Sequence, residues 1–228
     1  MAATSGAVYF SLYANAVYGG DNALMSLDAR TGAVRWRVPG VSGAPAVAGG
    51  RVFAALGANL QARSSSTGAR LWSRPGATFG VMPAVTGGAV YSIGLENGAW
   101  QLFARSVSNG ALRWKRAVAG SGGLAVAGGR VVVAGRSGLR AVDAATGALR
   151  WNVAVAASGS PAVANGLVYV GLQQGVGAWR LSDGLRRWRF GTIPYGSPSV
   201  SGGRVHASGV RFADDRFAAV IDQFRLGG

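Results

Sequence analysis

His206 is the one histidine of the chain, and Ser208 lies two residues further on. On a strand, residues two apart share a face, so this pair has the spacing of a base and a nucleophile. A working pair also needs an acid to orient the imidazole and a sharp turn that exposes the hydroxyl. Val205-His206-Ala207-Ser208 supplies neither, and a structural or surface histidine is the plainer reading. Asp214-Asp215 and Asp21-Asn22 carry the oxygen ligands that calcium takes, but calcium loops space their ligands more densely, so solvated turns are expected. One His and no Cys make a transition-metal site improbable. Gly120-Ser121-Gly122-Gly123 is no phosphate cradle, because no Gly-Lys-Ser/Thr follows and no helix is predicted. The expectation is a chain with no catalytic residue, no metal ligand and no cofactor.

Charge is the strongest chemical signal that remains. The net charge is +15, and Lys115 is the single lysine among 23 basic residues. So complete an exclusion of lysine reads as GC-rich coding bias more readily than as selection for anion binding. Eleven of the 23 flank recurrent tryptophans: Arg35, Arg37, Arg70, Arg74, Arg113, Lys115, Arg116, Arg150, Arg186, Arg187 and Arg189. Strand alternation places Arg35 and Arg37 opposite Trp36, and Arg187 and Arg189 opposite Trp188. A positive rim of this kind could take an acidic polymer, nonspecifically at low salt. Exposed charge that blocks edge-to-edge pairing of outer strands is the preferred alternative. Nothing points to specific nucleic-acid recognition.

The elements behind these residues come from one short phrase, present five times. The copies run from Asp28 to Trp36, Ser64 to Trp72, Ser106 to Trp114, Asp143 to Trp151 and Arg180 to Trp188. Each carries a Thr-Gly, Asn-Gly or Asp-Gly turn, three residues, then Trp; the Trp spacings are 36, 42, 37 and 37. A period in that range marks a repeat architecture. Between Leu124 and Trp151, short apolar strands alternate with Gly128-Gly129, Gly135 to Gly138 and Ala144 to Gly147 turns. Four antiparallel strands in about 37 residues make one propeller blade. The sequence thus predicts an all-β, single-domain β-propeller with about six units, near 6–38, 44–74, 82–116, 123–153, 160–190 and 197–228. Pro45, Pro83, Pro161 and Pro198 are expected at first strand residues, where no ladder donor is lost. The first unit is expected to lack its opening strand and the last its closing strand and Trp, which would leave a seam in a closed ring.

Gly32, Gly68, Gly110, Gly147 and Gly184 are assigned the positive φ of the phrase turn. Trp36, Trp72, Trp114, Trp151 and Trp188 are assigned to cover the neighbouring blade. Each would remove about 200 Å² from water, or about 5 kcal/mol before entropy costs.

Ala141-Val142-Asp143-Ala144-Ala145-Thr146-Gly147-Ala148-Leu149-Arg150-Trp151 resembles the docking motif of PQQ-like β-propeller repeats. The first copy matches well; the second, third and fifth replace Asp by Ser64, Ser106 and Arg180. The resemblance covers nearly the whole chain and implies two functional classes. One is the quinoprotein dehydrogenases, which hold pyrroloquinoline quinone and calcium over the propeller axis. The other is noncatalytic, and includes the lipoprotein propeller of the outer-membrane assembly machine and sensor domains of kinases. This chain departs from the dehydrogenases: it has no cysteine for their adjacent-cysteine disulfide and only one Glu, Glu96. What carries over is the fold, and with it an extracytoplasmic location, although no signal peptide is visible here.

Blade connectivity puts the uniform Gly-Gly and Thr-Gly turns on one face and the variable second-to-third loops on the other. Variation confined to one face marks the binding face. Its expected loops include Tyr18 to Asn22, Gly94 to Trp100, Gly171 to Gly175 and Gly209 to Arg216, and its candidate contacts are Tyr18, Phe79, Trp100 and Tyr195. The long 42-residue spacing is assigned to an extra loop around Leu95-Glu96-Asn97-Gly98. The uncharged run from Trp151 to Trp179 is broken by Gly159, Pro161 and Asn165-Gly166, so no membrane span is expected. The reading is a noncatalytic binding or scaffold module with a protein or peptide partner. The alternatives are a fragment of a quinoprotein oxidoreductase and a basic rim for an acidic polymer.

Overall fold

The computed structural model describes residues 1–12, 22–40, 42–76, 82–120, 122–213 and 216–225. It divides into two compact units, Met1–Ser121 and Gly122–Gly228. Each holds three antiparallel sheets whose strands pair in chain order.

In the first unit, sheet one is β1 (Ala2–Ala3), β2 (Ala7–Leu12), β3 (Ala23–Asp28) and β4 (Val34–Pro39). Sheet two is β5 (Ser42–Ala48), β6 (Arg51–Leu56), β7 (Asn59–Ser64) and β8 (Arg70–Pro75). Sheet three is β9 (Ala84–Thr86), β10 (Ala89–Glu96), β11 (Ala99–Ser106) and β12 (Leu112–Ala117). In the second unit, sheet four is β13 (Gly123–Ala127), β14 (Arg130–Gly135), β15 (Gly138–Asp143) and β16 (Leu149–Val153). Sheet five is β17 (Ala157–Ala164), β18 (Leu167–Leu172), β19 (Gly175–Arg180) and β20 (Arg186–Phe190). Sheet six, among the described residues, is β21 (Ser199–Ser201), β22 (Arg204–Ala213) and β23 (Arg216–Arg225).

The second strand of sheet two, β6, is apolar on both faces because a neighbouring sheet covers each. Val52, Phe53, Ala54 and Ala55 of β6 are all buried, with Val52 and Ala54 packing toward sheet one and Phe53 and Ala55 toward sheet three. The outer strands β4, β8, β12 and β16 bury only their Trp, as β4 shows with Trp36 alone buried between exposed Arg35 and Arg37. That is the pattern of a strand with one wet face. The hairpins follow local chemistry: Gly49-Gly50 and Asn165-Gly166 have φ of 54°, 70°, 50° and 70°, the left-handed pair that a two-residue hairpin needs.

The structure corrects four expectations. Sheet one does have an opening strand, because Ala2 and Ala3 pair with Tyr9 and Val8. Two residues carry no periodicity, so the sequence could not announce them. The 42-residue spacing arises from longer strands rather than an extra loop. β10 and β11 run eight residues each and pair from Ala89↔Ser106 to Glu96↔Ala99, leaving only Asn97-Gly98 to turn. Asn-Gly is a hairpin signal in its own right. Similarly, most of Gly209 to Arg216 is ladder, since β22 and β23 pair out to Ala213↔Arg216. Finally, Pro45 and Pro161 sit inside β5 and β17, where the register slips between Ser42 and Ala46 and between Ser158 and Ala162. A bulge tolerates the missing N–H that a regular ladder would not.

Candidate functional site

The five phrase turns share one backbone. The N–H of the first residue donates to the carbonyl of the sixth, and the Gly N–H donates back to the first residue's carbonyl, all at 2.8–2.9 Å. The side chains that brace this turn differ. Asp28 Oδ1 accepts from the N–H of Arg30 and Thr31 and from Thr31 Oγ1 at 3.0, 2.9 and 3.0 Å. Asp143 repeats the pattern with Ala145 and Thr146, and its Oδ2 also accepts from Arg150 at 2.7 Å. The N–H donors of Thr31 and Arg30 hold the Asp28 carboxyl below the usual carboxylate range. Arg150, followed by Thr146, does so more strongly for Asp143.

Where Ser replaces Asp, an inward arginine adds a brace to the turn. Arg63, just before Ser64, donates to Gly68 O at 2.8 Å and to Gln61 Oε1 at 2.8 Å. Arg105, just before Ser106, donates to Gly110 O at 3.2 Å and to Pro75 O at 2.8 Å. Arg105 is 6% exposed and stands 5.3 Å from the Phe103 ring, and burial lowers its pKa from the ordinary guanidinium value. The two arginines were not singled out from the sequence. Their signal was the coincidence of a preceding Arg with the two repeats that carry Ser in place of Asp.

The structure gives the phrase glycines a second reason to be glycine. Trp36, Trp72 and Trp151 donate Nε1–H to Ser65 O, Val107 O and Leu181 O of the following sheet at 3.0, 3.1 and 2.8 Å. Each indole then lies flat over the next phrase's turn. A Cβ on Gly68, Gly110 or Gly184 would stand 2.9, 2.8 or 2.8 Å from the indole of Trp36, Trp72 or Trp151. All three glycines also have φ near +75°. Gly32 has φ of 73° with nothing within 4 Å of its would-be Cβ, and Gly147 has φ of 70°. On their own sheets Trp36, Trp72 and Trp114 pack at 5.8–5.9 Å against Tyr9, Phe53 and Tyr91. Trp188 is half-buried and packs 5.9 Å from Tyr169.

The candidate contacts separate. Trp100 lies half-buried near the tip of the β10–β11 hairpin, cross-strand from Leu95, which is 53% exposed. Beside them Lys115 Nζ meets Glu96 Oε2 at 2.5 Å. Tyr195 is a correction: it is 3% exposed, packs with Val176 and Ala207, and its hydroxyl donates to Asp222. A tyrosine that leads out of a link segment reads as surface, whereas its ring here fills the space beside β19. Tyr18, Phe79, Asp21, Asp214 and Asp215 lie outside the described residues.

His206 occupies the β22 position that carries Tyr9, Phe53, Tyr91 and Tyr169 in β2, β6, β10 and β18. Its Nε2 meets Ser201 Oγ at 3.2 Å, while Ser208 is paired in register with Ile221. The imidazole is therefore engaged by a different serine from the one its spacing suggested. Among the described residues no three His, Cys, Asp or Glu side chains gather into a metal-holding group. Among them, no helix is long and apolar enough to cross a membrane.

Successive antiparallel sheets of three or four described strands, with one outer-strand Trp in each of sheets one to five, define a β-propeller built from PQQ-like repeats. The sequence matches the family described as outer membrane protein assembly factor BamB over residues 4–189 and 103–219, and the chain belongs to that family. No curated protein matches at a significant level. Among solved structures, BamB from Moraxella catarrhalis is similar with a TM-score of 0.63 and 17% identity, over 91% of this chain and 82% of that one. Two quinohemoprotein alcohol dehydrogenases share the fold at 16% identity. ADHIIG from Pseudomonas putida HK5 gives a TM-score of 0.57 over 79% of this chain and 38% of its own. The enzyme from Comamonas testosteroni gives 0.59 over 80% and 39%.

Proposed function

We propose that this chain is a noncatalytic, extracytoplasmic scaffold that binds a protein component of outer-membrane protein assembly. The observation that carries the reading is the family match, which spans both compact units. The geometry described above is consistent with it, because the phrase residues are spent on packing and turn formation rather than on a reactive cluster. A binding surface needs exposed apolar side chains held on a rigid element. The Leu95–Trp100 pair on the β10–β11 hairpin answers that description: eight paired residues on each strand carry it, and Asn97-Gly98 fixes the turn. A protein partner would cover Leu95 and the open face of Trp100.

The test is a photo-crosslinking amino acid at position 95, with the purified outer-membrane assembly complex as partner. The expected result is an adduct with one component, lost in Trp100→Ala without change in thermal midpoint. Absence of any adduct from position 95 and from further probes on the second-to-third hairpins would count against the reading. So would alcohol oxidation after reconstitution with quinone and calcium.

A further inference from the structure

The fifth repeat reverses the charge of the phrase, and a cavity opens beside it. In sheet four the first phrase residue is Asp143, whose Oδ2 sits 2.7 Å from Arg150 and 3.6 Å from Arg130. Two guanidiniums there share one carboxylate. In sheet five the first phrase residue is Arg180, and Arg187 stands where Arg150 stood. Arg180 takes Asp183 at 2.8 Å instead. The corresponding arginines of other repeats are also engaged: Arg35 donates to Gly6 O at 3.3 Å and Arg113 to Gly88 O at 2.9 Å. Arg187 is exposed and makes no hydrogen bond or ion pair among the described residues.

Arg130, Arg180 and Arg187 line one cavity of about 470 Å³, together with Asn165, Gly166 and Ser182. No carboxylate lines it. We propose that this cavity is an oxyanion site, binding a carboxylate or a phosphate group between Arg180 and Arg187 with Arg130 across from them. The chemistry is argued from the chain itself, since Asp143 shows how the phrase arginines hold a carboxylate when one is supplied. A guanidinium presents paired N–H donors that match either oxyanion. Asn165 and Ser182 add neutral polar groups at the rim. The site lies among the first-to-second turns of sheets four and five and the third-to-fourth turn of sheet five, not on the variable loops. It stands whether or not the β10–β11 hairpin docks a protein.

The test titrates the isotopically labelled chain with sodium phosphate and, separately, with a hexaglutamate peptide. Salt is held at about 0.15 M, where the Debye length of about 8 Å screens diffuse attraction. The expected result is saturable movement of the Asn165, Gly166 and Ser182 amide signals. In Arg187→Gln the dissociation constant rises about tenfold, the loss of one charge-assisted pair, and Arg180→Gln behaves likewise. Arg35→Gln, the same phrase position in the first repeat, leaves it unchanged. Arg187 is exposed, so its variant should keep the thermal midpoint of the parent. Tighter binding of the peptide assigns a carboxylate source and tighter binding of phosphate assigns a phosphate source, and both support the site. Linear, unsaturated shifts, shifts spread over the arginines of other outer strands, or equal weakening in Arg35→Gln overturn it.

Discussion

Gly68→Ala should cost far more than Gly32→Ala, although the two glycines occupy the same phrase position with φ of 75° and 73°. An L-residue in that left-handed region costs about 1 kcal/mol, and both variants carry this cost. Only Gly68 also meets an indole. Its added Cβ would lie 2.9 Å from Trp36 Cδ2 and Cε3, where ordinary contact begins at 3.4 Å. The ring cannot simply swing aside, because Nε1 is bonded to Ser65 O at 3.0 Å and Tyr9 packs 5.9 Å from it. Overpacking of this kind costs about 1–3 kcal/mol more. Gly68→Ala should therefore lose about 2–4 kcal/mol and Gly32→Ala about 1 kcal/mol. With a urea m-value of about 2 kcal/mol/M, the difference separates their midpoints by about 1 M. Urea unfolding followed by circular dichroism reads this directly. In a Trp36→Leu background the extra cost of Gly68→Ala should vanish, which closes a double-mutant cycle on the contact. Equal midpoints for Gly32→Ala and Gly68→Ala, with equal m-values, would refute the reasoning.

Two further outcomes follow from the same geometry. Trp151→Phe keeps an aromatic ring but leaves Leu181 O without its 2.8 Å donor in a buried setting. It should cost about 1–3 kcal/mol, read from the urea midpoint. The second concerns acid. Arg150 above all, and the N–H donors of Thr31 for Asp28, hold these two carboxyls below their unfolded values. The stabilisation they give is fully present above about pH 4 and is lost as pH falls through their lowered folded values. Asp143→Asn should flatten that part of the decline in midpoint between about pH 4 and pH 2, and an unchanged acid profile would show that the carboxylate contributes nothing.

The repeat, the all-β class and the strand order are legible in the residues alone. These follow from local chemistry that recurs: a left-handed glycine ends each phrase turn, paired glycines or Asn-Gly join the first and second strands of sheets two to six, and Trp stands four residues beyond each phrase glycine. Such signals need no knowledge of what lies across the sheet. What those residues touch is set by the folded chain. It placed Trp36 on Gly68, buried Tyr195 against Val176, turned His206 toward Ser201, and made Arg63 and Arg105 braces of the turns where Ser replaces Asp. It also gathered Arg130, Arg180 and Arg187, residues of two different sheets, around one cavity. The physical reason is that turn and strand preferences act over a few residues. Contacts between sheets join positions some 30 to 40 residues apart, and these depend on how the sheets stack.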